Sequence, residues 1–192
     1  MSVPSLAEIA VAHRQPISVD MYHQMIDSAV LTENHPVELI EGVIVAVSPQ
    51  SPEHVFAGKT LARYLSRVLG DEWSVRVGYP LTLARSEPEP DIAVVRTALE
   101  DGAIRHPTTA SLVVEVAKTS LSLDRGLASV YAEANVTEYW IVDVKKQQVE
   151  VFRDPEGTAY RTRTVATIAD ILVPVELPDV AVAVSSLFRV RH

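Results

Sequence analysis

The sequence predicts an α/β protein with a mixed central sheet flanked by helices and additional β-hairpins. Three observations carry this reading. Segments with apolar residues at helical spacing are interleaved with segments of strand character. The strand segments are of two kinds: some alternate apolar with polar residues, while Leu112-Val113-Val114-Glu115-Val116-Ala117 is almost continuously apolar, as in a strand covered on both faces. No internal repeat or low-complexity tract breaks the order. With 192 residues, 47% hydrophobic and 22% charged, the chain is long and apolar enough to bury a real core. It divides into an N-terminal arm over residues 1–17, marked by Pro4 and Pro16, and one domain over residues 18–192.

Ser18 or Asp20 caps a helix running through Ala29, with Met21, Met25 and Ile26 at helical spacing. Val37 to Ser48 reads as two short strands around a Glu41-Gly42 turn, where glycine supplies a positive φ. Ser51-Pro52-Glu53-His54 then opens a second helix: Ser caps, Pro fits the first turn, and an acid sits at the positive helix end. That helix should stop at Gly70, with Val55, Leu61, Ala62, Leu65 and Leu69 on its inner side. Trp73 to Ala84 is expected to be extended. After the acidic, proline-rich loop Glu87-Pro88-Glu89-Pro90-Asp91 comes the strand Ile92 to Val95, followed by the apolar strand from Leu112. A helix from about Leu123 to Ala134, strands over Tyr139–Val144 and Gln148–Arg153, and a strand-rich tail with a short C-terminal helix near Ser185 to Phe188 complete the order.

Seventeen basic against twenty-five acidic residues give a net charge of −8, which argues against non-specific nucleic-acid binding. It leaves room for a metal-dependent enzyme that gathers carboxylates at its centre. The absence of cysteine removes disulfides, thiolate metal sites and cysteine nucleophiles. No apolar run approaches a membrane span and the start lacks the features of a signal peptide, so a cytoplasmic protein is expected.

Glu115 stands inside an apolar strand, where a carboxylate is costly unless paired, hydrogen-bonded or bound to metal. Asp91 stands at the mouth of a second apolar strand. If the two strands are neighbours, their carboxylates converge on one ion, and oxygen ligands alone favour Mg²⁺ or Mn²⁺ over zinc. On the residues alone, an arginine partner for Glu115 and a backbone-satisfying turn role for Asp91 are the other outcomes.

The strings Glu89-Pro90-Asp91-Ile92-Ala93-Val94-Val95, Leu112 to Ala117, Tyr131-Ala132-Glu133-Ala134 and Glu138-Tyr139-Trp140-Ile141-Val142-Asp143 occur in this order, after Glu38-Leu39-Ile40-Glu41-Gly42 and Ser51-Pro52-Glu53-His54. Together they resemble the Uma-two family, bacterial proteins assigned to the Pro-Asp…(Asp/Glu)-x-Lys nuclease superfamily. The resemblance implies a restriction-endonuclease-like fold. It also implies Asp91 and Glu115 as metal ligands, Glu38 as a further acid of the site, and a match of His54 to a family histidine. A lysine that helps position the nucleophile is expected two residues after Glu115, where this chain has Ala117, or on the following helix, where it has Leu127. Lys118 is adjacent, and a bend at the strand end would be needed to bring it to the site. The implied function is a Mg²⁺- or Mn²⁺-dependent nuclease acting on DNA or RNA as a homodimer, with Asp91, Glu115, Glu38 and Lys118 as catalytic residues. The alternative is a catalytically silent relative that binds nucleic acid or a protein partner.

Overall fold

A computed structural model describes residues 14–47, 49–100 and 105–189; the greater part of the expected arm, residues 1–13, lies outside them. In chain order the elements are α1 (Val19–Asp27), β1 (Val37–Ile40), β2 (Val43–Ala46), α2 (Pro52–Val68), β3 (Trp73–Arg76), β4 (Ile92–Arg96), β5 (Leu112–Ala117), α3 (Leu121–Glu133), β6 (Glu138–Asp143), β7 (Gln148–Glu156), β8 (Ala159–Thr167), β9 (Ile171–Leu172) and β10 (Val182–Ala183). A 3₁₀ turn at Val184–Leu187 stands where the C-terminal helix was expected. Among the described residues no helix is long and apolar enough to cross a membrane.

The central sheet runs β3-β4-β5-β6-β7-β8. β5 and β6 are parallel and joined by α3, while the other neighbours are antiparallel, so the sheet is mixed as expected. The predicted adjacency of the Asp91 and Glu115 strands holds, with Ile92 opposite Val114. Each face carries its own core. On one, Ala57, Leu61 and Leu65 of α2 meet Ile92, Val94, Val114, Val116 and Trp140. On the other, Leu127, Val130 and Tyr131 of α3 meet Ala93, Val95, Val113, Ala117 and Tyr139. Alternate residues of β5 thus serve opposite cores, which is why its sequence is apolar throughout.

Local chemistry sets the ends of the elements. The Ser18 hydroxyl accepts from the Met21 N–H at 3.1 Å, and the Ser51 hydroxyl from the His54 N–H at 3.3 Å. Asn135 takes a φ of 55° just past α3, a left-handed stop that asparagine tolerates. Between β1 and β2 both Glu41 (φ 49°) and Gly42 (φ 71°) are left-handed, the geometry of a two-residue hairpin turn. A Cβ on Gly42 would also lie 2.6 Å from Pro16 Cβ, so glycine is needed there for space as well.

One expected strand is shorter than its pattern. The run from Trp73 is a sheet strand only to Arg76, and Val77 and Tyr79 are exposed instead of packed. The regular ladder stops where Gly78 (φ 62°) turns the chain off the edge, leaving one further bond from the Gly78 N–H to Pro90 O at 3.1 Å. Leu81 and Leu83 then re-enter the second core from a loop.

Candidate active site

The site lies where β4 begins and β5 ends. Continuing their register by one residue places Asp91 opposite Glu115, with both side chains on the α3 face of the sheet. Two bonds fasten them: the Asp91 N–H donates to Glu115 Oε2 (3.3 Å) and the Val116 N–H donates to Asp91 Oδ2 (2.8 Å). His54 Nε2 and Gln50 Nε2 approach Asp91 Oδ1 at 2.7 Å and 3.1 Å, and the Tyr131 hydroxyl donates to Glu115 Oε1 at 2.8 Å. No arginine pairs with either carboxylate among the described residues.

Asp91, Glu115, His54, Gln50 and Val116 line a cavity of about 410 Å³. Glu38 enters it from β1, and the hairpin is anchored for that purpose by backbone bonds from Glu87 N–H to Leu39 O (2.6 Å), Gly42 N–H to Arg85 O (2.9 Å) and Ile17 N–H to Gly42 O (2.9 Å). Lys118 lies just past the end of β5 and lines the cavity. Its amine donates to Glu53 Oε2 at 2.8 Å, on the first turn of α2. Ala117 is buried against the α3 core, and Leu127 forms an apolar part of the cavity wall. Neither lysine position of the superfamily pattern is therefore filled.

An acid in the first turn of a helix is ordinarily a solvated cap, but Asp124 at the start of α3 is not. It is buried in the first turn, accepts from the Ser120 hydroxyl at 2.7 Å and lines the cavity. Asp124, Leu127 and Tyr131 stand three and four residues apart, hence on one helix face, and the already notable Tyr131 was the signal that could have found Asp124. Glu89, also at the cavity, stood out in sequence only as part of the acidic loop before Asp91, and Gln50 had no signal.

The cavity is electrostatically crowded with acids. Burial, then the charges of Asp91, Asp124 and Glu38, hold the Glu115 carboxyl well above the ordinary range, against the opposing bond from Tyr131. Burial and the neighbouring Glu89, with lesser effects of Asp91 and Asp124, push Glu38 up to about 7 despite a bond from the Glu89 backbone. Asp124 is pushed up to about 6 by burial and Asp91, opposed by Ser120 and His54. Both groups keep, when folded, a proton that the unfolded chain releases at their ordinary values of 4.5 for Glu38 and 3.8 for Asp124. The resulting stabilisation is full below those values and lost as pH rises through about 6 for Asp124 and about 7 for Glu38. Glu38→Gln is accordingly expected to raise the melting temperature of metal-free protein at pH 8 and to change it much less at pH 4. An equal effect at both pH values would show that Glu38 is not held protonated by the cavity.

The donors are hard oxygens with an excess of negative charge, a chemistry that fits a magnesium-like cation. Among the described residues no group of three or more His, Asp or Glu side chains is gathered closely enough to enclose an ion alone. A pair of carboxylates is nonetheless what such an ion commonly takes from protein, the rest of its shell being water or substrate oxygen.

A family model described as "Putative restriction endonuclease", Uma2, matches residues 19–185. The chain belongs to the Uma2 family. Among solved structures it is similar to a putative nuclease belonging to DUF820 from Anabaena variabilis ATCC 29413, with a TM-score of 0.74 and 18% identity over 90% of this chain and 98% of that one. That likeness establishes the nuclease-like fold. No curated protein matches the chain. The resemblance read from Asp91, Glu115, Tyr131 and the strings around them is thus the family relationship found by comparison.

Proposed function

We propose that this Uma2 protein is a divalent-metal-dependent nuclease hydrolysing phosphodiester bonds of DNA or RNA, with the acid-lined cavity as its active site. The observation that supports it is the juxtaposition of Asp91 and Glu115 on adjacent strands, fastened by backbone amides and without an arginine partner among the described residues. Asp91 and Glu115 would hold the ion, Mg²⁺ or Mn²⁺. When bound, it would polarise the phosphoryl oxygens and acidify a water for attack. His54 and the Val116 N–H orient the Asp91 carboxylate, and Tyr131 orients that of Glu115. Glu38, with its carboxyl near 7, is poised to accept a proton from an attacking water at neutral pH. Lys118 supplies positive charge at the rim toward the phosphate. A homodimer belongs to the same proposal, because cutting both strands of a duplex calls for two such sites.

A second reading rests on the lysine. With Ala117 and Leu127 apolar and Lys118 bound to Glu53, the chain would be a silent relative that keeps the fold to bind nucleic acid or protein. Mn²⁺-dependent cleavage of single- and double-stranded DNA and RNA decides between them. Metal binding is checked separately: Mg²⁺ or Mn²⁺ should raise the melting temperature of the parent, by about 2.7 kcal/mol of stability at a hundredfold excess over Kd. The Asp91→Ala, Glu115→Ala double variant should gain nothing. Equal gains in both proteins would remove the metal site.

A further inference from the structure

Beside the acidic cavity lies a second groove of about 390 Å³, lined by Glu53, Lys118, Val144, Lys145 and Gln147. It shares Lys118 with the cavity, and the Lys118 amine is bound to Glu53 on the groove side. Its charge has the opposite character. Glu53 is already neutralised by Lys118 at 2.8 Å, whereas Lys145 is exposed and has no carboxylate partner among the described residues. The turn that carries Lys145 is held in shape: Asp143 Oδ1 accepts the N–H groups of Lys145 and Lys146, both at 3.0 Å, and Gln147 is left-handed at φ 53°. Asp143 is buried, so its carboxylate serves this turn from within.

A polyanion faces a barrier at this protein, which carries a net charge of −8 and several acids in its cavity. A phosphate chain whose scissile group sits among those acids needs cations immediately alongside. The lysine-lined groove offers them on a preorganised turn.

We infer that this groove binds the phosphodiester backbone flanking the scissile phosphate, through Lys145 and through Lys118 once Glu53 releases it. The inference rests on the reading of the cavity as a phosphodiester site. It makes Glu53 a restraint on binding: the Lys118 amine cannot fully serve Glu53 and a phosphate together.

Binding of fluorescent single-stranded and duplex oligonucleotides, DNA and RNA, measured by anisotropy across a salt series, tests it. Lys145→Ala should weaken binding about threefold near 50–200 mM salt and lower the slope of log K against log[salt] by about 0.9 on duplex and about 0.7 on single strands. Glu53→Gln should act the other way, with tighter binding and a steeper salt slope, a gain that a merely structural ion pair would not give. Both sites are at the surface, where loss of a charge changes folding little. Unchanged slopes in Lys145→Ala together with no tightening in Glu53→Gln would overturn the inference, as would absence of any oligonucleotide binding by the parent. Lysine-dependent binding without cleavage would uphold the groove and overturn only hydrolysis. Cleavage indifferent to both substitutions would do the reverse.

Discussion

Glu115→Gln is expected to lower Mn²⁺-dependent cleavage by about a thousandfold or more, the scale of several kcal/mol of transition-state stabilisation. The substitution keeps the side-chain shape, and its amide oxygen can still accept from Tyr131, which stands 2.8 Å from Oε1 in the native protein. What is lost is the charge beside Asp91, so the fold should survive while metal affinity and turnover fall. Asp91→Asn should behave alike, since Asp91 Oδ2 is held by the Val116 N–H at 2.8 Å and the amide oxygen can take that bond. Lys118→Ala is predicted to reduce turnover while sparing metal-dependent stabilisation, because its amine touches Glu53 and neither of the proposed ligands. Steady-state cleavage rates and melting temperatures with and without Mn²⁺ separate these effects. Robust cleavage that survives Glu115→Gln would remove the active-site assignment. If the parent does not cleave at all, the silent reading stands.

The largest stability effect is expected away from the cavity, at Glu138. This carboxylate is fully buried, and it accepts from Arg153 (2.9 Å), the Trp140 indole N–H (2.6 Å) and the Val175 N–H (2.7 Å). Arg153 also donates to Val173 O at 2.9 Å, so the pair ties the tail to the sheet. Arg153→Ala would leave a buried charge with neutral donors only. Removing one partner of a buried pair costs about 3–5 kcal/mol, and the partial exposure of Arg153 argues for about 3. For a chain of this size that is about 6–12 °C in melting temperature. Glu138→Gln placed on top of Arg153→Ala should recover part of the loss, because the stranded charge is gone. Urea unfolding of the three variants measures this; a cost under about 1 kcal/mol for Arg153→Ala would show the pair to be unimportant to stability.

The sequence by itself determined the order of the elements and the identity of the two central acids. Helix starts at Ser18 and Ser51, the hairpin turn at Glu41-Gly42 and the doubly covered strand β5 are local chemistry, written in caps, glycine and periodicity. Glu115 was conspicuous because a carboxylate inside an apolar run is costly wherever the strand is placed. Tertiary structure decided everything that depends on distance across the chain. Only the antiparallel register of β4 and β5 sets Asp91 opposite Glu115, and only the docking of the hairpin on the Arg85–Glu87 loop brings Glu38 to them. Asp124 resembles an ordinary helix-start acid in sequence, because burial against Asp91 and Glu38 is invisible until α3 packs on the sheet. The end of β3 at Arg76 likewise departs from the alternating pattern, because Gly78, left-handed at φ 62°, turns the chain off the sheet edge with only its N–H still bound to Pro90 O. Lys118 shows the division most clearly. Its place after Glu115 is sequence, but whether its amine serves the cavity, Glu53 or the groove beyond is a matter of competing charges brought together by the fold.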